Sequence, residues 1–176
     1  MGDVLNELDK KCFTLAIDMA NKSYEAGDFP VGAVLVIDDK IFDTSGNERN
    51  KESWVTHAEN SLLIRNDINI KQAHKENKII KLYTTLEPCI QCLGASIMNR
   101  VDQIFFIQKD GIGGACDIKS NNLGAWYGEI WPKIYHIPFS DKPRQLLVKF
   151  FENEINSDKS ISEWYKKCYE YYSKKL

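Results

Sequence analysis

The sequence predicts a single α/β domain, on three observations. Short apolar runs with strand character alternate along the chain with segments whose apolar residues recur at helical spacing. One run, Ile79-Ile80-Lys81-Leu82-Tyr83-Thr84, leads into a helix-compatible segment and then into Gln103-Ile104-Phe105-Phe106-Ile107, an order that implies a parallel strand pair joined by a crossover helix. A chain of 176 residues, 43% hydrophobic, is long enough for one sizeable core, and no linker, internal repeat or low-complexity tract divides it.

Taken in order, Leu5, Leu8, Cys12, Leu15 and Met19 predict an amphipathic helix over about residues 3–26, ended by Gly27. Phe29-Pro30-Val31-Gly32-Ala33-Val34-Leu35-Val36-Ile37 reads as a buried strand, Asp38-Asp39 as a turn, and Lys40-Ile41-Phe42-Asp43 as the returning arm of a hairpin. Residues 45–56 are polar and predict a loop that delivers His57 to a helix over about 57–66, with Leu62 and Leu63 inward. The polar stretch Asn66 to Asn77 is expected to loop or to extend that helix irregularly. After the third strand comes a helix over 89–99, then the fourth strand. Residues 109–128 hold five glycines and read as a long loop, of the kind that in compact domains is functional or mobile. Lys133-Ile134-Tyr135-His136-Ile137 reads as a short fifth strand, and Pro143 opens a helix to about Ile155. Ser160 with Glu163 forms a capping box, before a helix with Ile161, Trp164, Tyr165, Cys168, Tyr171 and Tyr172 on one face.

Charge is nearly balanced, 23 basic against 25 acidic residues, without the basic surplus of a protein devoted to nucleic acid. No apolar run approaches the ~18 residues of a membrane span, and residues 1–7 lack the positive start and apolar core of a signal peptide. Five cysteines, two of them spaced as a metal pair, do not make a disulfide scaffold, so the expected compartment is a reducing cytoplasm.

The chemistry gathers at Thr84-Thr85-Leu86-Glu87-Pro88-Cys89-Ile90-Gln91-Cys92 and at His57-Ala58-Glu59. Pro88 suits the first position of a helix, where its missing N–H has no partner. The two thiols in that first turn feel the positive end of the helix dipole, which favours thiolates. Cys89, Cys92 and a neutral His57 make three ligands for zinc with a fourth place left for water, the arrangement of catalytic rather than structural sites. Residues i and i+2 of a helix lie on opposite faces, so His57 and Glu59 serve one site only at the very start of a helix. Two other readings compete. A redox C-x-x-C pair carries no proline before its first cysteine and no His-x-Glu upstream. A structural zinc module needs a fourth ligand, for which Cys116 in the glycine-rich loop is the available thiol.

The His57-Ala58-Glu59 and Pro88-Cys89-Ile90-Gln91-Cys92 pair resembles the zinc-dependent cytidine and deoxycytidylate deaminase superfamily. Phe29-Pro30-Val31-Gly32-Ala33-Val34 and Thr85-Leu86-Glu87-Pro88-Cys89 are similar to the tRNA adenosine deaminase branch, and Cys92-Leu93-Gly94-Ala95 equally to bacterial guanine deaminases. The likeness covers about residues 5–110 and thins beyond. It implies a three-layer α/β/α cytidine-deaminase-like fold with a mixed five-stranded sheet, one catalytic domain over 1–176 with C-terminal helices over about 143–176, and a dimer or tetramer, here a homodimer. It implies His57, Cys89 and Cys92 as zinc ligands and Glu59 as the catalytic proton shuttle. Asn47, with Asn50 as competitor, matches a family asparagine that hydrogen-bonds substrate; Phe29, Val31, Ala58 and Pro88 complete the expected substrate contacts.

The expected reaction replaces the exocyclic amino group of a purine or pyrimidine with a carbonyl and releases ammonia. A free base, nucleoside or nucleotide is the expected substrate, because the chain is slightly acidic and Trp126, Tyr127 and Trp131 follow the glycine-rich loop as surfaces for a small ring. The alternative is adenosine at the wobble position of tRNA, toward which a local surplus of eight basic over five acidic residues across 142–176 points.

Overall fold

A computed structural model describes residues 5–49, 53–157 and 163–174. Helix α1 (Glu7–Glu25) opens on a capping box between Asn6 and Asp9, and its chain reverses at Gly27, whose φ of 76° suits glycine. Strands β1 (Gly32–Ile37) and β2 (Lys40–Gly46) form a hairpin whose two-residue turn, Asp38-Asp39, has φ of 52° and 58°, the left-handed pair that matches the strands' twist. After the turn, one extra residue in β2 breaks the register between Leu35 and Val36 as a bulge. β2 continues to Gly46, two residues into the expected loop.

Helix α2 (Ala58–Arg65) is followed at once by α3 (Asp67–Lys75). The stretch expected to be irregular is thus a helix, because Ile70 and Ala73 supply a buried face that its polar composition hides. Strand β3 (Ile80–Leu86), helix α4 (Ile90–Met98) and strand β4 (Gln103–Gln108) form the expected parallel crossover, and β5 (Lys133–His136) adds a parallel edge. The sheet runs β2-β1-β3-β4-β5, with β1 antiparallel to both neighbours, and is therefore mixed and five-stranded. The glycine-rich stretch carries a 3-10 turn (Ser120–Asn122) and a short helix α5 (Ala125–Glu129). Helices α6 (Lys142–Ser157) and α7 (Glu163–Ser173) close the chain, with Cys168 and Tyr172 buried. The expected capping serine, Ser160, and Ile161 lie outside the described residues.

Strand alternation sets the layers. Val34 and Val36 of β1 and Tyr83 of β3 pack on Cys12, Phe13, Ala16 and Ile17 of α1. Ala33, Leu35 and Ile37 face the other way, onto Leu62 and Leu63 of α2, Ile70 of α3 and Leu93 and Ile97 of α4. A β-carbon on Gly32 would sit 2.1 Å from the Ala16 carbonyl oxygen, so the glycine lets α1 approach the sheet where β1 begins. The outcome is a three-layer α/β/α sandwich that presents the starts of α2 and α4 at the same end of the sheet.

Candidate metal centre and its pocket

Strand β3 ends at Leu86 and α4 begins at Ile90, so Cys89 is the residue before the helix, with extended backbone, and Cys92 lies in its first turn. Pro88 stands two positions further out than expected, just ahead of the cap; its carbonyl accepts a 2.9 Å hydrogen bond from the Ala115 N–H. His57 holds the equivalent place before α2, extended at φ −77° and ψ 155°. That departure from helical geometry lets His57 and Glu59 serve the same pocket. The start of α2 is pinned from outside, by the Asn47 Oδ1 accepting a 2.7 Å bond from the Ala58 N–H.

The two helix starts bring His57 Nδ1 to 3.5 Å from Cys89 Sγ and 3.4 Å from Cys92 Sγ. In a tetrahedral zinc site, Zn–S and Zn–N bonds of ordinary length put nitrogen and sulfur about 3.6 Å apart. The donors therefore fit zinc by separation as well as by chemistry. Among the described residues, only these three side chains form such a group, and Cys116 does not join it. The fourth ligand a structural module would need is not supplied there.

The three ligands are in hydrogen-bonding contact with one another. A hydrogen bond from Cys92, with a further one from His57, pulls the Cys89 thiol down to about 4, while the same partnership and burial push Cys92 up. His57 is raised by its bond to Cys89. A divalent cation takes the place of these protons, since it binds thiolates and neutral imidazole. Glu59 is 3% exposed. The Thr84 hydroxyl donates to its Oε1 at 3.1 Å, and Cys92 Sγ lies 3.4 Å from its Oε2. Burial raises its proton affinity.

Phe29, Val31, Asn47, His57, Glu59, Cys89 and Cys92 line the pocket, together with Arg49, Leu86, Glu87 and Asp110. Ala58 and Pro88 are buried and act through their backbone. Asn50 lies outside the described residues. Glu87 stands beside Pro88 at the end of the sheet. Its buried carboxylate accepts from the N–H groups of Asp110 and Cys116, at 3.0 Å each, and so ties the glycine-rich loop beneath the cysteines. Gly114 makes that closeness possible, because a β-carbon there would lie 2.5 Å from the Glu87 Cδ. Asp110 follows β4, beyond the carboxyl end of a parallel strand where sites gather.

The model of the cytidine and deoxycytidylate deaminase zinc-binding region matches residues 6–108. This chain belongs to that deaminase family. The match takes in His57, Glu59, Cys89 and Cys92, so the cofactor of this chain is zinc. A tRNA-specific adenosine deaminase of Haemophilus influenzae is 36% identical over 124 residues, 69% of this chain and 66% of that protein. A cytosine deaminase of Candida albicans is 37% identical over 92 residues, 51% of this chain and 59% of that protein. Each match thus spans less than two thirds of the relative's length. Among solved structures, one from work on A-to-I editing by tRNA:A34 deaminases at the wobble position has a TM-score of 0.58 and 26% identity, over 72% of this chain and 97% of that one.

Protein purified under reducing conditions is expected to hold about one zinc per chain. Cys92→Ser empties the site and Cys116→Ser leaves it full, as metal analysis of the two variants would read. Zinc lost from the Cys116 variant instead would mean a fourth protein ligand.

Proposed function

We propose that this chain is a hydrolytic deaminase that replaces the exocyclic amino group of a nucleobase with a carbonyl. The observation that carries this reading is a buried carboxylate, Glu59, set against three metal-ligating side chains with no fourth ligand among the described residues. Zinc held by His57 and the two sulfurs would supply an acidified water near neutral pH. Glu59, buried beside the ligands, is the group placed to take up a proton and pass it to a ring nitrogen of the base. It then delivers a proton to the departing amine. Water is consumed, a C–N bond is replaced by C–O, and ammonia leaves. The Thr84 hydroxyl fixes the Glu59 carboxylate throughout. Asn47, its oxygen committed to Ala58, offers its Nδ2 to the base, and Phe29, Val31 and Leu86 border the ring.

The finer reading is an adenosine in tRNA. It is supported by the names of the relatives and by the basic surplus of residues 142–176. A second reading, a free base, nucleoside or nucleotide, is favoured by one observation: α6 and α7 wall the approach with Phe150, Trp164 and Glu154, a surface ill suited to a phosphate backbone. Five free thiols suit a reducing compartment, the cytoplasm; among the described residues no helix is long and apolar enough to cross a membrane. A homodimer is supported by exposed apolar side chains on the helices of one layer, Ile64 of α2, Ile68 of α3 and Met98 of α4.

Ammonia release by the zinc-loaded protein decides among substrates. With a tRNA anticodon stem-loop, turnover is expected to fall by orders of magnitude between about 50 and 200 mM salt, whereas turnover of a small substrate would stay nearly flat. Glu59→Gln is expected to keep its zinc and lose ~10²–10⁴-fold in rate. A wild-type protein that releases ammonia from neither class contradicts the reading. Sedimentation should return twice the chain mass, and Ile68→Glu should shift it to that of one chain; a monomeric wild type would contradict the dimer.

A further inference from the structure

The metal pocket opens into a second space. Phe29, Arg49 and Asp110 line both the pocket and an adjoining cavity of ≈ 390 Å³, whose far side is formed by Phe150 of α6 and by Trp164 and Tyr165 of α7. This vestibule has flat aromatic walls of the kind that stack planar rings. Its charge is lopsided: among the described residues lining it, Asp28, Asp110 and Glu154 stand against Arg49 as the single cation. A field of that sign disfavours phosphate and admits neutral or amine-bearing groups.

Arg49 stands at the junction of the two spaces. Its Nε is buried and has no hydrogen-bond partner among the described residues. Buried N–H groups are nearly always paired, because an orphaned donor has lost its water and gained nothing in return. An acceptor brought by a ligand removes that cost, and at this position the ligand must lie partly in the pocket where Glu59 and the metal ligands converge. Two residues upstream, Asn47 already anchors the same segment to the start of α2, so the backbone that carries Arg49 is held in register with His57.

We propose that Arg49 orients the substrate base at this junction, its Nε–H donating to a neutral acceptor on the base, a ring nitrogen or a carbonyl oxygen, while the vestibule stacks the rest of the ligand. The role assumes that the metal pocket deaminates a nucleobase. Lysine is no substitute, since it keeps the charge but lacks the fixed planar N–H.

Calorimetric binding to the zinc-loaded full chain tests this without relying on turnover. The probes are purine riboside, which presents ring nitrogens without an exocyclic group, and inosine, which adds a carbonyl. Wild type should bind at least one of them, and Arg49→Ala and Arg49→Lys should each weaken that probe by about 10–100-fold, with little change between about 50 and 200 mM salt. Loss for purine riboside assigns the acceptor to a ring nitrogen; loss for inosine alone assigns it to the carbonyl. The lysine variant keeps most of the side-chain bulk and serves if the alanine variant does not fold, zinc content and melting temperature being the control. Equal binding by wild type and both variants overturns the role of Arg49 and leaves the deaminase reading standing, and so does full rescue by lysine, since charge alone would then suffice. Zinc-loaded wild type that binds neither probe overturns the role of Arg49 and leaves standing the deaminase reading, which ammonia release tests separately.

Discussion

A histidine and a glutamate two residues apart point to opposite sides of a regular helix, and the site needs them on the same side. The fold meets this constraint by starting α2 one residue after His57, so that the imidazole hangs from extended backbone while Glu59 sits in the first turn. The Asn47 side chain enforces that start by accepting from the Ala58 N–H, in place of a cap from the helix's own first residue. Cys89 occupies the matching place before α4, also uncapped by its own side chain. Each helix thus gives up a local cap so that the residue in the capping position can hold a metal. The cost of an absent cap is ~1 kcal/mol, small beside what a bound zinc returns to the folded state.

Around those two helix starts the chain builds a brace. Glu87 receives two backbone N–H groups from the loop after β4, and Tyr171 of α7 accepts from the Gly111 N–H at 2.8 Å. The sequence of contacts therefore runs from α7, through the loop, to the residue beside Pro88. Phe29 does the same from the other side, packing edge-on against Phe150 and Phe151 of α6 at 5.4 and 5.8 Å while it borders the metal pocket. The C-terminal helices are walls of the approach, and they lie beyond residues 6–108, which the family model matches.

How much of this was legible in the sequence follows from the range of the interactions. The gathering of His57, Glu59, Cys89 and Cys92 in one pocket was readable because their spacing is local and the donor chemistry restrictive. The hairpin was readable because Asp38-Asp39 tolerates left-handed backbone, and the parallel crossover because β3 and β4 are apolar runs flanking a helix of ordinary length. Helix α3 was hidden, since only Ile70 and Ala73 of its nine residues are buried and the rest of the stretch is polar. The joint wall of the approach was not legible either: α6 and α7 meet Phe29 and Asp110 only through contacts more than a hundred residues or some fifty residues apart in sequence, which no periodicity reports. Arg49 carried no signal, because a lone arginine in a polar loop looks like any solvated cation.

The metal's coordination shell decides whether this centre is catalytic or structural. X-ray absorption at the zinc edge of the purified chain reads it directly. Two sulfur neighbours at about 2.3 Å and two lighter neighbours at about 2.0–2.1 Å are expected, one from His57 and one from an exchangeable oxygen that a small anion such as azide displaces. A shell with three sulfurs, or one that no anion perturbs, would make the centre a closed structural site and would contradict the catalytic reading.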